Sequence, residues 1–378
     1  MNRGDRWLIV LPLLLTALGV VMVYSSSSIL AITRYQDADH VLGKQILRAV
    51  LGLVALWACT RLPLRRLERW APVLLGVGIT MLLAVIVVGH RANGARRSLQ
   101  VGLLSLSPID VARLATVIFL AAWLKRHPPA ERGFVRGLLV PLGIVGALSF
   151  LVLRQPNLSS AGLLGLTGFL MVYLAGVPLP YLSVPVAAGA VTVGVMLRTH
   201  PYQWERVPPF IKFVMTGVLD PNGAGWHLDQ SLIAIGSGGW FGRGLGGGHQ
   251  KYLFLPEAHT DFIFSILAEE LGFLGASVLI VLFGLLLWRG VRVMARATDP
   301  FHFLLAGGLT LQIGLYALVN LAVATGFAPT TGLPLPFVSY GGTALLANLA
   351  AAGLLYRISA ANASADALVR QRWSGERS

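Results

Sequence analysis

The sequence predicts an all-α polytopic integral membrane protein with ten transmembrane helices. The 378 residues are 55% hydrophobic and 12% charged, and the mean hydropathy is +0.71, which is typical of a membrane protein of this length. The apolar residues form runs of about twenty, the length that crosses a bilayer as a helix. These runs lack the alternation that marks strands, and helices satisfy their own backbone groups in hydrocarbon.

The ten predicted spans follow one another with mostly short connections. They cover residues 7–30, 41–60, 71–89, 107–124, 134–152, 158–176, 180–198, 262–288, 303–325 and 338–357. The first run follows Arg3 and Arg6 and lacks a convincing cleavage site, so we interpret it as a retained span and not as a signal peptide. We therefore predict a single transmembrane domain over 1–360 and a short cytoplasmic tail over 361–378.

The basic residues predict the orientation. Arginines and lysines concentrate in the connections on the side of Arg3 and Arg6, and by the positive-inside rule that side is the cytoplasm. An even number of spans places both termini there. The net charge of +14 does not indicate nucleic-acid binding, because the arginines are dispersed between apolar runs. A single cysteine, Cys59, excludes an intramolecular disulfide.

The connection over 199–261 is predicted to be a large extracellular loop between the seventh and eighth spans. Its length and its aromatic residues indicate an ordered segment, with a short interfacial helix near 226–237. Basic residues here and in the 90–106 connection are unexpected on an external face. They indicate either an anionic ligand or anchoring at lipid headgroups. These residues are Arg91, Arg96, Arg97, Arg206, Lys212, Arg243 and Lys251.

Ionisable residues cluster at the start of the eighth span. They are Glu257, His259, Asp261, Glu269 and Glu270. Since a carboxylate within a membrane helix costs about 2.5–3.5 kcal/mol, such residues favour a functional interpretation. If a helix begins at Pro256, Asp261 stands above a stripe of small residues, which leaves space below its carboxylate or serves close helix packing. At least one inner glutamate is expected to make a buried structural contact.

An external aspartate among basic residues suits one chemical task. Asp261 can take a proton from an alcohol while the cations hold a phosphorylated leaving group. The like charge of Glu257 would raise the pKa of one of the two carboxyl groups, or the pair would hold a divalent cation. His259 is a candidate ligand or orienting group, with a structural loop histidine as the alternative.

Two further polar segments stand out. Asp110 and Arg113 open the fourth span at a spacing that predicts an ion pair, and they are candidates for lining a substrate cavity. Residues 332–342, which include Ser339, predict an ordered re-entrant or interfacial turn because they are rich in proline and glycine. Gln312 and Asn320 in the ninth span predict interhelical hydrogen bonds.

Together these motifs resemble the SEDS family (shape, elongation, division and sporulation), which includes FtsW, RodA and SpoVE. The resemblance is strongest over Pro256–Phe264 and Ala268–Gly272, and the Pro-Glu-Ala-His form is more typical of FtsW than of RodA. The chain departs from the usual family pattern at Ser98, Asp110, Arg113, Asn157 and Thr331.

The resemblance implies the SEDS fold and a peptidoglycan glycosyltransferase. It would polymerise lipid II on the outer face of the bacterial cytoplasmic membrane, for cell division or elongation, with release of undecaprenyl pyrophosphate. Asp261 would deprotonate the GlcNAc 4-hydroxyl of incoming lipid II, and its oxygen would attack the anomeric carbon of the terminal MurNAc with inversion. The residues predicted to bind substrate are Arg206, Arg243, Lys251, Glu257, His259, Arg96, Arg97, Asp110, Arg113 and Ser339.

The resemblance also implies a divalent cation, magnesium or manganese, with Asp261 and Glu257 as possible ligands. The implied partners are the nascent glycan strand, a cognate class B penicillin-binding protein that supplies the transpeptidase, and other divisome or elongasome membrane proteins. Two alternatives remain open. A lipid II flippase would place its essential ionisable groups near the bilayer midplane, and a non-catalytic scaffold would regulate the penicillin-binding protein without needing Asp261.

Overall fold

The computed structural model describes residues 4–92, 95–101, 104–129, 135–199, 204–205, 207–219, 224–252 and 254–375, and most of them are helical. The helices are α1 Trp7–Tyr35, α2 His40–Arg61, α3 Leu64–Val88, α4 Pro108–Arg126, α5 Val140–Leu153, α6 Leu158–Leu174, α7 Leu179–Thr199, α8 Val207–Thr216, α9 Ala224–Ser237, α10 Ile263–Ala295, α11 Pro300–Ala324 and α12 Ala344–Gly375. A π-helical turn over Val135–Leu139 precedes α5.

Each of the ten predicted spans falls on a helix, and within the described ranges eight helices are long and apolar enough to cross a membrane. The other two are α4 and α6. Charged residues near both ends of α4 lower its hydropathy, and α6 has only 17 residues. Both helices pack against each other and against α11, so neighbouring helices cover much of their surface in place of lipid. The count of ten spans stays a prediction.

The core of the bundle is built around α4 and α11. Every residue of α4 from Ala115 to Ala122 is buried, and α4 contacts α3, α6 and α11. On one side, α12 packs along α2, while α1 contacts both α2 and α10. Helix α7 lies at the periphery against α6 and is mostly exposed. This arrangement brings the start of α10, the end of α11 and the start of α12 together at one end of the bundle.

Part of the predicted extracellular loop returns to the helical bundle. Residues 238–248, here called the strap, run as irregular backbone beside residues 269–274 of α10. That contact lies roughly 9–17 Å along α10 from Ile263, at 1.5 Å per residue. Part of the segment 199–261 therefore packs into the helical bundle, and its position outside the membrane stays a prediction.

The strap fits a break in α10 at Gly272. This residue has φ 69° and ψ −168°, so the helix is interrupted there, and its neighbours exchange backbone hydrogen bonds with the strap. A Cβ at Gly272 would overlap the amide nitrogen of Gly242. The exchanged bonds run from Arg243 N to Glu269 O (3.1 Å), Gly244 N to Glu270 O (3.0 Å), Phe273 N to Gly239 O (2.8 Å) and Leu274 N to Trp240 O (3.2 Å).

A buried ion pair fastens the segment that follows the strap. Lys251 Nζ lies 3.0 Å from Glu270 Oε1, and both side chains are at most 5% exposed. Lys251 Nζ also donates to Gly246 O at 2.6 Å and to Ser25 Oγ of α1 at 3.3 Å, so its three N–H groups are used. Ser25 Oγ in turn donates to the Glu270 carboxylate at 2.6 Å. We call Ser25, Lys251 and Glu270 the strap lock.

The neighbouring Glu269 makes a second buried contact with the same segment. Its carboxylate accepts hydrogen bonds from His249 N at 2.7 Å and from Gln250 N at 3.2 Å, and the residue is 1% exposed. The prediction that at least one inner glutamate makes a structural contact is confirmed, and it holds for both.

The structure corrects one further expectation. The protein is not all-α, because the 90–106 connection forms a small antiparallel sheet. Its strands are β1 His90–Ala92, β2 Ala95–Val101 and β3 Leu104–Leu106, in the order β1-β2-β3. The predicted division at residue 360 stays a prediction, and the last helix extends past it. It continues through the predicted tail to Gly375, and Asn362 Nδ2 donates to Val293 O of α10 at 3.0 Å. The expected helix near 226–237 is confirmed as α9.

Candidate functional site

Asp261 lies in a compact turn and not in a helix. Helix α10 begins at Ile263, so the prediction of a helix from Pro256 is wrong. Glu257 has a positive φ of 53°, and its carbonyl accepts hydrogen bonds from Thr260 N and Asp261 N, both at 3.1 Å. Residues 257–261, here called the aspartate turn, thus place Asp261 at the mouth of the bundle, one residue before Phe262.

Three successive carbonyls of the aspartate turn accept hydrogen bonds from other segments. Tyr340 N donates to His259 O at 2.9 Å, and Ser339 Oγ donates to Thr260 O at 2.5 Å. Asn320 Nδ2 of α11 donates to Asp261 O at 2.9 Å. These bonds fix the backbone that carries the Asp261 carboxylate, the preorganisation that a catalytic group requires.

The connection between α11 and α12 forms a wall beside the carboxylate. Asn320 Nδ2 also donates to Leu333 O at 2.7 Å, which binds this connection to the same helix that holds Asp261. Gly332 has φ 72°, and a Cβ there would lie 3.5 Å from Asp261 Oδ2. The missing side chain leaves room for a reacting group next to the carboxylate. The ordered turn predicted over 332–342 is confirmed.

Asp110 and Arg113 support the far end of this wall. They form the predicted ion pair at 3.3 Å. Thr343 Oγ1 donates to Asp110 Oδ2 at 2.8 Å, and Arg113 Nη2 donates to Asn348 Oδ1 of α12 at 3.2 Å. The Arg113 guanidinium stacks 4.3 Å above the ring of Tyr316. Both charged residues are buried, so they position the α11–α12 connection from beneath.

Arg48 of α2 is a site residue that the sequence interpretation missed. Its guanidinium carbon lies 4.3 Å from the ring centroid of Tyr340, and the Tyr340 ring lies 5.4 Å from that of His259. A cationic side chain within an apolar segment is a functional signal in a membrane protein. That signal was present in the second predicted span, since Arg48 lies well inside 41–60.

The electrostatics of the aspartate turn favour a neutral imidazole. Burial lowers the pKa of His259 below its usual value, and the nearby Glu257 carboxylate opposes this shift. Glu257 itself is exposed, and its carboxylate accepts a hydrogen bond from Thr260 Oγ1 at 3.2 Å. His259 therefore acts as an uncharged, partly buried neighbour of Asp261 around neutral pH.

Several residues predicted to bind substrate lie elsewhere. The structure places Lys251 in the strap lock with its donors used, and Ser339 is buried with its hydroxyl bonded to Thr260 O and Leu335 N. Both make contacts within the fold, and their predicted role in substrate binding stays a prediction. Arg243 lies on the strap beside Glu269, where its Nε donates to Ser237 O at 3.3 Å, and the structure does not bring it to Asp261.

The remaining basic candidates are only partly described. Arg96 and Arg97 lie on β2, which pairs with β1 and β3, but their side chains fall outside what the structure describes. Arg206 lies outside the described residues altogether. Their roles stay predictions.

The described residues do not form a ready metal cage. Within the parts of the chain that the structure describes, no group of three or more His, Cys, Asp or Glu side chains could hold a metal ion. Asp261 and Glu257 share one turn. This donor set fits magnesium, which is often held by one or two carboxylates together with substrate phosphates.

The chain is similar to known proteins over nearly its whole length. The model of a family described as cell cycle protein, which groups FtsW, RodA and SpoVE, matches residues 5–364. A protein of Alkalilimnicola ehrlichii named "Probable peptidoglycan glycosyltransferase FtsW" is 40% identical over 362 residues, covering 94% of this chain and 89% of that protein. Stage V sporulation protein E of Bacillus subtilis is 34% identical over 357 residues, covering 94% and 96%.

Solved structures show the same relationship. The rod shape determining protein RodA of Thermus thermophilus aligns with a TM-score of 0.69 and 30% identity, covering 94% of this chain and 96% of that one. A chain from a structure described as the coordination of polymerization and crosslinking by a peptidoglycan synthase complex aligns with a TM-score of 0.77 and 31% identity, covering 95% and 98%. The protein therefore belongs to the FtsW, RodA and SpoVE family, the SEDS family that its motifs predict.

Proposed function

We propose that this protein is a peptidoglycan glycosyltransferase that polymerises lipid II at the outer face of the bacterial cytoplasmic membrane. One observation carries the proposal. Asp261 lies at the mouth of the bundle on a turn whose last three carbonyls are each held by another segment. The family relationship and the names of the relatives support the same activity.

In this proposal Asp261 is the general base. It takes the proton of the GlcNAc 4-hydroxyl of incoming lipid II. The hydroxyl oxygen then forms a bond to the anomeric carbon of the terminal MurNAc, the bond from that carbon to undecaprenyl pyrophosphate breaks with inversion, and the pyrophosphate leaves with the electron pair. The open space at Gly332 is where the hydroxyl reaches the carboxylate. Fixed backbone geometry contributes because the base needs no reorganisation before reaction.

A divalent cation belongs to the proposal as a companion of the pyrophosphate. When bound, it would neutralise charge on the departing diphosphate, with Asp261 or Glu257 as the protein ligands. The described residues supply too few ligands for a metal site without substrate. The Gly332 space and the aspartate turn are needed for proton transfer whether or not the cation is present.

The buried acids argue against transport as the main function. A flippase would use ionisable groups deep in the membrane. Here Glu270 is paired with Lys251, and Glu269 accepts two backbone N–H groups. Both carboxylates hold the segment that follows the strap, which leaves Asp261 as the acid at the mouth that the fold positions for chemistry.

The topology and partners follow from the same proposal. Ten spans with both termini in the cytoplasm would place the aspartate turn outside, at the level of incoming lipid II. A cognate class B penicillin-binding protein would crosslink the strands, in keeping with the related chain in a peptidoglycan synthase complex. The glycan strand and other divisome or elongasome proteins would be further partners.

Lipid II polymerisation by the full chain with its co-expressed penicillin-binding protein tests the proposal. Asp261→Asn keeps the shape of the side chain but removes the base, so the rate should fall about 10²–10⁴-fold. Asp39→Asn, which alters an exposed carboxylate before α2, is the matched control and should polymerise normally. Equal glycan strands from Asp261→Asn and wild type would contradict the general-base role, and no strands from wild type would favour transport or scaffolding.

A further inference from the structure

Arg48 and Gln45 leave buried donors without partners next to the aspartate turn. They lie three residues apart on one face of α2, and they are 4% and 0% exposed. Nε and Nη1 of Arg48, and both side-chain polar atoms of Gln45, have no hydrogen-bond partner. Among the described residues, no carboxylate lies within 4.0 Å of the Arg48 guanidinium. A cation shielded from water without a counter-charge is strongly unfavourable, unless a ligand supplies one.

The strap lock provides a comparison within the same protein, because its buried cation has a structural role. Lys251 is also buried, but each of its N–H groups has an acceptor and its charge is paired with Glu270. In the described part of the chain, the Arg48 guanidinium stacks on Tyr340 at 4.3 Å, and its Nε and Nη1 have no hydrogen-bond partner. This contact orients the guanidinium fork without using its hydrogen-bond donors.

Tyr340 also links Arg48 to the proposed catalytic residue. Its backbone N–H donates to His259 O at 2.9 Å, two residues before Asp261. Helix α2 lies alongside α12, with Gly52 next to Leu346 and Leu349. Arg48 lies about one helical turn before Gly52, which places it near the start of α12. The unpartnered donors are therefore at the level of the aspartate turn.

We propose that Gln45 and Arg48 form an anion-binding site for the pyrophosphate of a polyprenyl-linked saccharide, with Tyr340 as one wall. The guanidinium fork matches two phosphate oxygens, and Gln45 Nε2 donates to a third. Gln45 Oε1 then accepts from a hydroxyl or a water. The identity of the anion rests on the proposed function. The headgroup of an anionic phospholipid offers the same phosphate chemistry, so the test separates these two sources.

The test titrates the detergent-solubilised full chain with undecaprenyl pyrophosphate and counts bound lipid by native mass spectrometry. Arg48→Met should bind about 10- to 100-fold more weakly, the loss expected for hydrogen bonds to a charged group. Gln45→Leu should show a smaller loss. Lys44→Met removes one positive charge from the neighbouring position of the same helix and should bind as wild type does.

Thermal unfolding without ligand distinguishes a ligand site from a structural arginine. Since Arg48→Met removes an uncompensated buried charge, its unfolding temperature should be unchanged or higher. A lower unfolding temperature together with unchanged lipid binding would overturn the proposal. If Arg48→Met does not fold, Arg48→Lys retains the charge but not the fork, and it should bind more weakly than wild type. Wild-type affinity in that variant would also overturn the proposal.

Two further comparisons identify the source of the phosphate and separate the anion site from the proposed polymerisation activity. Equal affinity for phosphatidylglycerol would overturn the assignment to the pyrophosphate substrate. If wild type does not polymerise but Arg48→Met still loses binding, the anion site stands and the proposed function fails.

Discussion

The strap lock and the region around the aspartate turn are two polar clusters at the upper part of α10, and they differ in how completely their polar atoms are paired. In the lock, Lys251 and Glu270 neutralise each other, and Ser25 completes their hydrogen bonds. Near the aspartate turn, Arg48 and Gln45 keep unpartnered donors. Paired buried charges indicate a structural role, whereas unpartnered ones indicate a place for a ligand.

The same comparison explains an error in the sequence interpretation. Lys251 and Arg48 are both basic residues in largely apolar surroundings, and the sequence favoured Lys251 because it lies in the predicted external loop. That position in the sequence did not show that Lys251 pairs with Glu270, 19 residues further along the chain. Distinguishing the two roles required knowing which acceptors surround each cation.

Breaking the strap lock should have the largest effect on stability. Lys251→Met leaves the Glu270 carboxylate buried without its cation, so the free energy of unfolding should fall by about 3–5 kcal/mol. Denaturant unfolding of the purified chain in detergent measures this. Lys212→Met removes an equivalent charge from an exposed position of α8 and should change little. A similar small change for both variants would mean that the lock does not stabilise the strap.

Filling the break in α10 should have the next largest effect. Gly272→Ala forces a side chain into a positive φ, which alone costs about 1–3 kcal/mol, and its Cβ overlaps the strap at Gly242. Gly284→Ala lies on the same helix with open space around it, and it should be neutral or slightly stabilising. The two unfolding midpoints should therefore move in opposite directions, and equal midpoints would show that the strap is not seated on the break.

The smallest effect should come from pH at the aspartate turn. Burial lowers the pKa of His259 in the folded protein. As the pH falls through about 6.5, His259 is therefore protonated in the unfolded chain before it is protonated in the folded protein. This contribution to stability is fully present above that pH and is lost as the pH falls toward the lower folded pKa. Unfolding of wild type should therefore be more acid-sensitive than that of His259→Gln. Parallel stability curves from pH 7.5 to 5 would contradict the shift.

Much of the fold and part of the site could be predicted from the sequence. Apolar runs of spanning length located the helices, and the Asp110–Arg113 pair follows from helical spacing alone. The helix expected from Pro256 failed because contacts distant in sequence compete for that backbone: Ser339 and Tyr340 bind carbonyls of the aspartate turn. The strap was missed because its backbone bonds are satisfied by the interrupted helix at Gly272, which no local pattern reveals.

The most direct test of this account compares Asp261→Asn with Lys251→Met in one preparation, for both lipid II polymerisation and unfolding free energy. The two variants should give opposite results. Asp261→Asn should lose polymerisation with little change in stability, and Lys251→Met should lose stability but polymerise at a temperature where it remains folded. A folded Lys251→Met that loses polymerisation as completely as Asp261→Asn, with unchanged stability, would contradict the separation of structural and catalytic clusters.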